Sequence, residues 1–270
     1  MNLEQLRKSW VSQADPEIQA RIWDRSAEHY RTRPLPDPGE DAFLRRLRHA
    51  QPDLAGKRIL DVGCGAGGYS LALARLGART MGVDISPKMI EYACERAREE
   101  QLDSSAFRCL NWADADIDAL GFRAAFDVAF AHMTPAVADF DTFDRLNACS
   151  RGLCAVEKPT RRRDQVMDAA LARAGLERER RDEDMEAIFS YLWNRGYRPE
   201  FFYSPDLWRT ERTVEEMEAW CVDRASLRRT LTEGQEDSIR AYIRDSAVDG
   251  KVMETTHTTR VTVIWRVDGK

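Results

Sequence analysis

The chain has 270 residues, 43% of them hydrophobic and 32% charged, with a formal net charge of −5 at pH 7 and an isoelectric point near 5.6. That length accommodates one α/β domain with additions and a sizeable core, and the acidic balance supplies no overall field that would draw the protein to nucleic acid or to an anionic membrane. No apolar run is long enough for a signal peptide or a membrane span, and six cysteines (Cys64, Cys94, Cys109, Cys149, Cys154 and Cys221) without a CxxC pair predict a reduced, cytoplasmic protein.

Residues 1–38 carry two amphipathic helical patterns and read as a helical N-terminal cap, ahead of a domain spanning 39–270. The second pattern spaces Ile18, Ile22 and Trp23 along one face, and Pro34, Pro36 and Pro38 stop it. Residues 39–49 read as a helix with Phe43, Leu44 and Leu47 inward. The stretch 58–84 organises the rest: an apolar strand over 58–62, a glycine-rich turn over 63–68, a helix over 69–76, and a strand over 79–83 that ends in Asp84. That is half of a mononucleotide-binding βαβ unit.

Gly63, Gly65 and Gly68 satisfy GxGxxG, and Asp84 follows at about the distance of the acid that binds a ribose hydroxyl in dinucleotide folds. Asp61 separates the readings. A pyrophosphate over this turn would meet a repelling carboxylate two residues before the first glycine, whereas a cationic ligand would be attracted to it.

The run Asp61-Val62-Gly63-Cys64-Gly65-Ala66-Gly67 resembles the first motif of the class I S-adenosylmethionine-dependent methyltransferases, an acid, any residue, then GxGxG. Val83-Asp84-Ile85-Ser86-Pro87-Lys88-Met89 resembles the family's second acidic loop, and the likeness covers roughly residues 20–157. It implies a Rossmann-like, doubly wound seven-stranded α/β sheet that binds S-adenosyl-L-methionine and releases S-adenosyl-L-homocysteine. Cofactor contacts are then implied for Asp61, Gly63, Cys64, Gly65 and Gly67, for Asp84 on the ribose hydroxyls, for Ile85 against the adenine, and for Met89 in the same loop. By the same likeness Trp23, His29 and Tyr30 fold over the cofactor; the alternative is that Trp23 and Tyr30 only anchor their helix on the core.

Ser86 before Pro87 is a good helix cap, with Met89, Ile90, Tyr92 and Ala93 inward. A third strand, 106–110, leads to Asn111-Trp112-Ala113-Asp114, where the family usually has Gly-Asp-Ala. Asn111 can still accept from an adenine amino group through its amide oxygen, Asp114 is the substitute, and Trp112 either stacks on adenine or plugs the core. A fourth strand, 126–131, delivers His132-Met133-Thr134-Pro135 to the carboxyl edge, where the methyl group would be transferred. The Pro-Pro-aromatic sequence of the amino-methyltransferases of nucleic acid and of glutamine is missing there, which favours a small-molecule acceptor. His132 is either a general base near neutral pH or a histidine bonded to its own loop; His29 and Tyr30 complete the set of possible catalytic groups.

A helix over 139–149 and a strand over 152–156 follow, the strand ending at Glu157-Lys158-Pro159. Arg161, Arg162, Arg163, Arg173, Arg178, Arg180 and Arg181, interleaved with Asp182, Glu183, Asp184 and Glu186, read as a solvated helix face. Residues 185–202 pass through a helix ended by Gly196 into a strand, and the last strand covers 258–267. The passage resembles the one by which the family enters its antiparallel strand pair, which implies that segments of about 159–184 and 205–250 are insertions over the site, the second holding Trp208, Trp220 and Tyr242 as possible pocket aromatics. No metal-binding or GxSxG motif occurs, and Cys149 and Cys154 fall in core segments. The expected protein is a methyltransferase acting on a small-molecule N, O, S or C nucleophile as a monomer or homodimer, without nucleic-acid or membrane partners. Alternatives are an NAD-binding oxidoreductase that uses the overlapping GxGxxG and a cofactor-binding module without catalysis.

Overall fold

Strand β1 (Arg58–Val62) buries every residue after the first, as a central parallel strand covered on both faces must. The computed structural model describes residues 1–103, 105–177 and 183–269. Around β1 stand β2 (Arg79–Asp84), β3 (Ser105–Cys109), β4 (Phe126–His132), β5 (Ser150–Asp164), β6 (Glu200–Thr213) and β7 (Lys251–Arg266), in the order β3-β2-β1-β4-β5-β7-β6. Strands β1 to β5 are parallel and β7 runs antiparallel to both β5 and β6. The connection reverses direction between β1 and β4, so the loops leaving their carboxyl ends part and open a crevice there.

Alternation along the strands assigns the two core layers. Ile59, Val128 and Phe130 pack with Phe43, Leu44 and Leu47 of α3 (Ala42–Ala50) and Leu73 of α4 (Gly68–Ala74). Leu60, Ala129 and Ala131 face the other layer, with Phe143 and Leu146 of α6 (Phe140–Cys149) and Tyr191 of α8 (Glu183–Asn194). Helix ends are chemically specified. Ser86 accepts from the Met89 amide at the start of α5 (Pro87–Glu99), Asp15 caps α2 (Pro16–Arg31), which follows α1 (Leu3–Ser9), and Asp139 forms a capping box with Thr142.

The third quarter of the chain departs from the sequence reading. Strand β5 does not stop at Val156 but runs to Asp164, and β7 starts at Lys251 rather than Thr258. Together with β6 they form a three-stranded arm beyond the carboxyl edge, pairing Arg163 with His257 and Thr213 with Lys251. Arg161, Arg162 and Arg163 therefore lie on a strand, at a bulge where Arg161 has φ 49°; Arg178, Arg180, Arg181 and Asp182 lie outside the described residues. The arm was illegible because its inward positions are mostly polar, as with Thr160, Asp164, Glu254, Thr256 and Thr258, and β6 buries none of its residues, which erases the apolar alternation that marks a strand.

At the end of the arm, α7 (Gln165–Arg173), α9 (Val214–Ser226) and α10 (Glu233–Asp245) share one hydrophobic cluster that includes Met167, Leu171, Met217, Cys221, Ile239 and Ile243. Both inserted segments thus build a single lobe. Helix α2 bridges this lobe and the sheet domain. On one side Ser86 Oγ donates to Asp24 and Tyr92 Oη to Glu28 (2.7 Å); on the other, Asp223 of α9 accepts from Arg21 (2.9 Å) and Arg25 (2.5 Å). Removing that carboxylate in Asp223→Ala is expected to speed amide exchange across residues 16–31 by roughly tenfold while leaving β1 unchanged. Equal exchange in wild type and variant would show that the clamp does not hold the roof.

Candidate active site

Asp61 comes to the crevice near the end of β1 with 2% of its surface exposed, accepting a 2.8 Å hydrogen bond from Ser70 Oγ. Burial pushes its carboxyl up to about 7; the Ser70 bond opposes this and the charge of Asp84 adds to it. Among the described residues no lysine, arginine or histidine pairs with it. Asp84, at the end of β2, accepts from the amides of Gly65 and Ser86, both at 2.9 Å, one on each oxygen. Each oxygen keeps a further lone pair for a ligand donor, and burial raises this carboxyl too, against the pull of those amides.

Gly63 has φ +73°, and a Cβ there would lie 2.0 Å from Thr134 Oγ1, so the turn after β1 and the loop after β4 meet face to face. Gly67, with φ +79°, leaves room for the Phe107 ring, 2.9 Å from where a Cβ would stand. Its need for glycine is met by protein packing. The Cys64 amide donates to Val83 O (3.0 Å) and its thiol packs against Gly82, which turns this residue into the protein and away from a ligand. Ile85 is half-buried beside Asp84. Met89 is buried with Ala27, Ala66 and Tyr92, and Trp23 and Tyr30 of α2 pack on this group above the glycine turn. Arg96 ties the arrangement together, donating to Ala66 O at 3.0 Å and to Arg33 O at 2.9 Å.

Three expected contacts are placed differently. Trp112 is 2% exposed in the core, its indole N–H donating to Thr142 O (3.0 Å), so it offers no face to an adenine. The amide oxygen of Asn111 already accepts from the Ala113 amide (3.2 Å) while its nitrogen donates to an exposed Asp114 (2.6 Å), because the pair closes a single helical turn, residues 112–114. His29 is exposed and lies 2.6 Å from the Arg33 guanidinium; burial first, then the charges of Arg33 and Arg212, lower its pKa. The pocket aromatics do not converge either. Trp208 lies under Arg162, whereas Trp220 and Tyr242 pack against the lobe core.

His132 ends β4 inside a polar cluster that the sequence reading did not assemble. Its ring sits 3.9 Å, centroid to centroid, from Tyr69 and 4.8 Å from Phe43, and its Nε2 is 3.2 Å from Glu157 Oε1. Glu157 is fully buried, yet it also accepts from Arg260 (2.9 Å) and Thr262. Burial alone would raise its pKa; the His132 bond and charge, the Thr262 bond and Arg260 outweigh it and hold the carboxyl at about 2. Arg46 of α3 reaches the same place, donating to Thr262 Oγ1 (2.6 Å) and Ser204 Oγ (2.8 Å). A charged residue inside the β-branched run of β7 was the one available signal for Arg260. Met133, next to His132, has φ 52°, a strained loop start for a residue with a side chain. The six cysteines are free, and burial pushes the Cys149 thiol up to about 12, which leaves it unreactive. No group of metal-ligating side chains, and no helix long and apolar enough to cross a membrane, occurs among the described residues.

A glycine turn between two buried acids, at the switch point of a sheet whose seventh strand is reversed, defines the methyltransferase type of Rossmann-like fold. The family model described as "Methyltransferase domain" matches residues 53–163, and this part of the chain is a class I S-adenosylmethionine-dependent methyltransferase domain. Among curated relatives, the ubiquinone biosynthesis O-methyltransferase of Methylocella silvestris is 37% identical over 113 residues, 42% of this chain and 38% of that protein. The ribosomal protein L11 methyltransferase of Deinococcus radiodurans is 41% identical over 88 residues, 32% of each. The chain thus spans well under half the length of these relatives. A solved phosphoethanolamine-type N-methyltransferase, "Phospholethanolamine N-methyltransferase 2" of Haemonchus contortus, shares the fold with a TM-score of 0.53 at 17% identity, over 95% of this chain and 60% of that one.

Two outcomes are expected. The folded pKa of Asp61 lies above its ordinary 3.8, so its contribution to stability is complete below pH 3.8 and is lost as pH rises to about 7. Asp61→Asn should therefore raise the Tm of the ligand-free protein near pH 8, by up to a few kcal/mol in stability, and change little near pH 4; thermal melts at both values check this. Gly63→Ala, which must displace Thr134, is expected to cost about 1–3 kcal/mol in urea unfolding.

Proposed function

We propose that the protein transfers the methyl group of S-adenosylmethionine to a small-molecule N, O, S or C nucleophile. The observation that carries this is the buried, unpaired Asp61 facing a glycine turn, with Asp84 nineteen positions beyond Gly65 bonded back to that turn. A buried carboxylate without a counter-ion is matched by a ligand with an ammonium group, and the second acid by a ligand with ribose hydroxyls. Asp61, Gly63 and Gly65 would hold the amino-acid end, Asp84 the ribose and Ile85 the adenine face.

When bound, the sulfonium supplies a methyl carbon already joined to a good leaving group. What remains for this chain is to align an acceptor, exclude water and move a proton where the acceptor carries one. Helix α2 and the lobe cover the carboxyl edge, which suits an acceptor small enough to be enclosed. His132, held through Nε2 by Glu157 and by the Tyr69 ring, keeps Nδ1 without a partner among the described residues, which supports a role for that atom in taking a proton from a hydroxyl or ammonium acceptor. Tyr30 stands on the roof, further from this cluster.

Calorimetric titration with S-adenosylmethionine, S-adenosylhomocysteine and NAD tests the reading. Low-micromolar binding of the first two, lost in Asp84→Ala, is expected; binding of NAD alone would overturn it, and tight binding without turnover on phenols, amines and thiols would make the protein a non-catalytic module. With a phenol or amine acceptor, His132→Ala should lower kcat by on the order of 100-fold with little change in KM, and should spare an acidic thiol.

A further inference from the structure

Arg212 is the cation that the site described above leaves unexplained. Near the end of β6, it is half-buried, and its guanidinium lies 4.4 Å from the centroid of the Trp220 ring. Among the described residues it has no carboxylate partner and no hydrogen bond, whereas Arg260, Arg162 and Arg21 each have both. Withdrawing a guanidinium from water without an anion is costly, and an indole face offsets only part of that. Burial accordingly lowers its pKa.

Position makes the charge useful. Side chains two apart on a strand share a face, so Arg212 shares its face of β6 with Ser204, which accepts from Arg46, and Asp206, which pairs with Arg260. That is the face turned to the His132 and Glu157 cluster. From the other side the end of α2 approaches: the Arg212 charge helps to lower the pKa of His29, and Arg33 stacks on the Tyr30 ring at 4.4 Å. His29 near the end of α2, Arg33 just past it and Arg212 of β6 thus come near the partly buried Tyr30, which packs above the glycine turn.

We propose that Arg212, backed by Trp220, is an oxyanion-binding subsite, and that the acceptor methylated here carries a carboxylate or phosphate group. The methyl-transfer chemistry rests on the function proposed above; the anion site does not. A planar guanidinium presents paired N–H donors that match either oxyanion, and an aromatic floor keeps it from folding back onto the protein.

The test titrates the full chain with inorganic phosphate and with benzoate, each with and without saturating S-adenosylhomocysteine. The proteins compared are wild type, Arg212→Met, Arg212→Lys, and Arg209→Gln on the opposite face of the same strand. At least one anion is expected to bind wild type and Arg209→Gln equally, to weaken roughly tenfold or more in Arg212→Met, and to recover in part in Arg212→Lys. Phosphate preference names a phosphorylated acceptor and benzoate preference a carboxylate. Because burial opposes the charge and no carboxylate among the described residues forms an ion pair with it, Glu216 and Glu254 acting only from further off, Arg212→Met should also melt higher than wild type; a lower Tm would make the residue structural and overturn the site. So would equal anion binding in Arg212→Met, or no binding to wild type. Loss of S-adenosylhomocysteine affinity in Arg212→Met, with 5′-methylthioadenosine unaffected, would hand Arg212 to the cofactor's own carboxylate and overturn the acceptor assignment. If wild type binds the anion but not S-adenosylhomocysteine, the cofactor reading fails and the anion site stands.

Discussion

A carboxylate buried at the end of an apolar strand is the constraint from which the rest of this molecule can be understood. Asp61 has one serine and its backbone for company, in a place where desolvation opposes its charge. The fold tolerates it because the sheet reverses direction at that point and leaves a crevice instead of a sealed core. Glycines in the turn and Thr134 from the opposite loop set the width of that crevice, and Asp84 keeps the turn in place through the Gly65 amide. On the proposed function, ligand recognition and the cost of folding are properties of the same few atoms.

The walls of the crevice come from distant parts of the chain. The arm of β5, β6 and β7 grows out of the sheet and carries a lobe with its own apolar cluster, while α2 lies between that lobe and α5. Helix α2 is held on the sheet side by an apolar cluster that includes its Ala27, Trp23 and Tyr30, and on the lobe side by Arg21 and Arg25 paired with the buried carboxylate of Asp223.

Electrostatics divides the carboxyl edge into two kinds of place. Around Glu157 the charges are satisfied: His132, Arg260 and Thr262 share one buried carboxylate, and the ring of Tyr69 holds the imidazole from below. Among the described residues Asp61 and Arg212, of opposite sign, are left without an oppositely charged partner. Satisfied clusters position groups rigidly; unsatisfied ones mark where something else is meant to arrive.

Much of this was legible in order along the chain. Strand β1, the turn, β2 and α5, the cap at Ser86, and the inward faces of Phe43, Leu44 and Leu47 follow from local periodicity, capping chemistry and the space glycine leaves, all of which act between near neighbours. The two acids flanking the turn, and with them the class of ligand, were determined at that level. Tertiary structure alone decided that Trp112 is core, that Asn111 and Asp114 satisfy one another, that His29 points out, and that polar arms pair into strands. It alone brought Glu157, Arg260 and Arg46 to His132, and set Arg212 over Trp220 beside α2. The physical reason is range: periodicity and capping are encoded within a turn or two of chain, whereas burial and charge pairing depend on which distant residues the closed fold brings within a few ångströms.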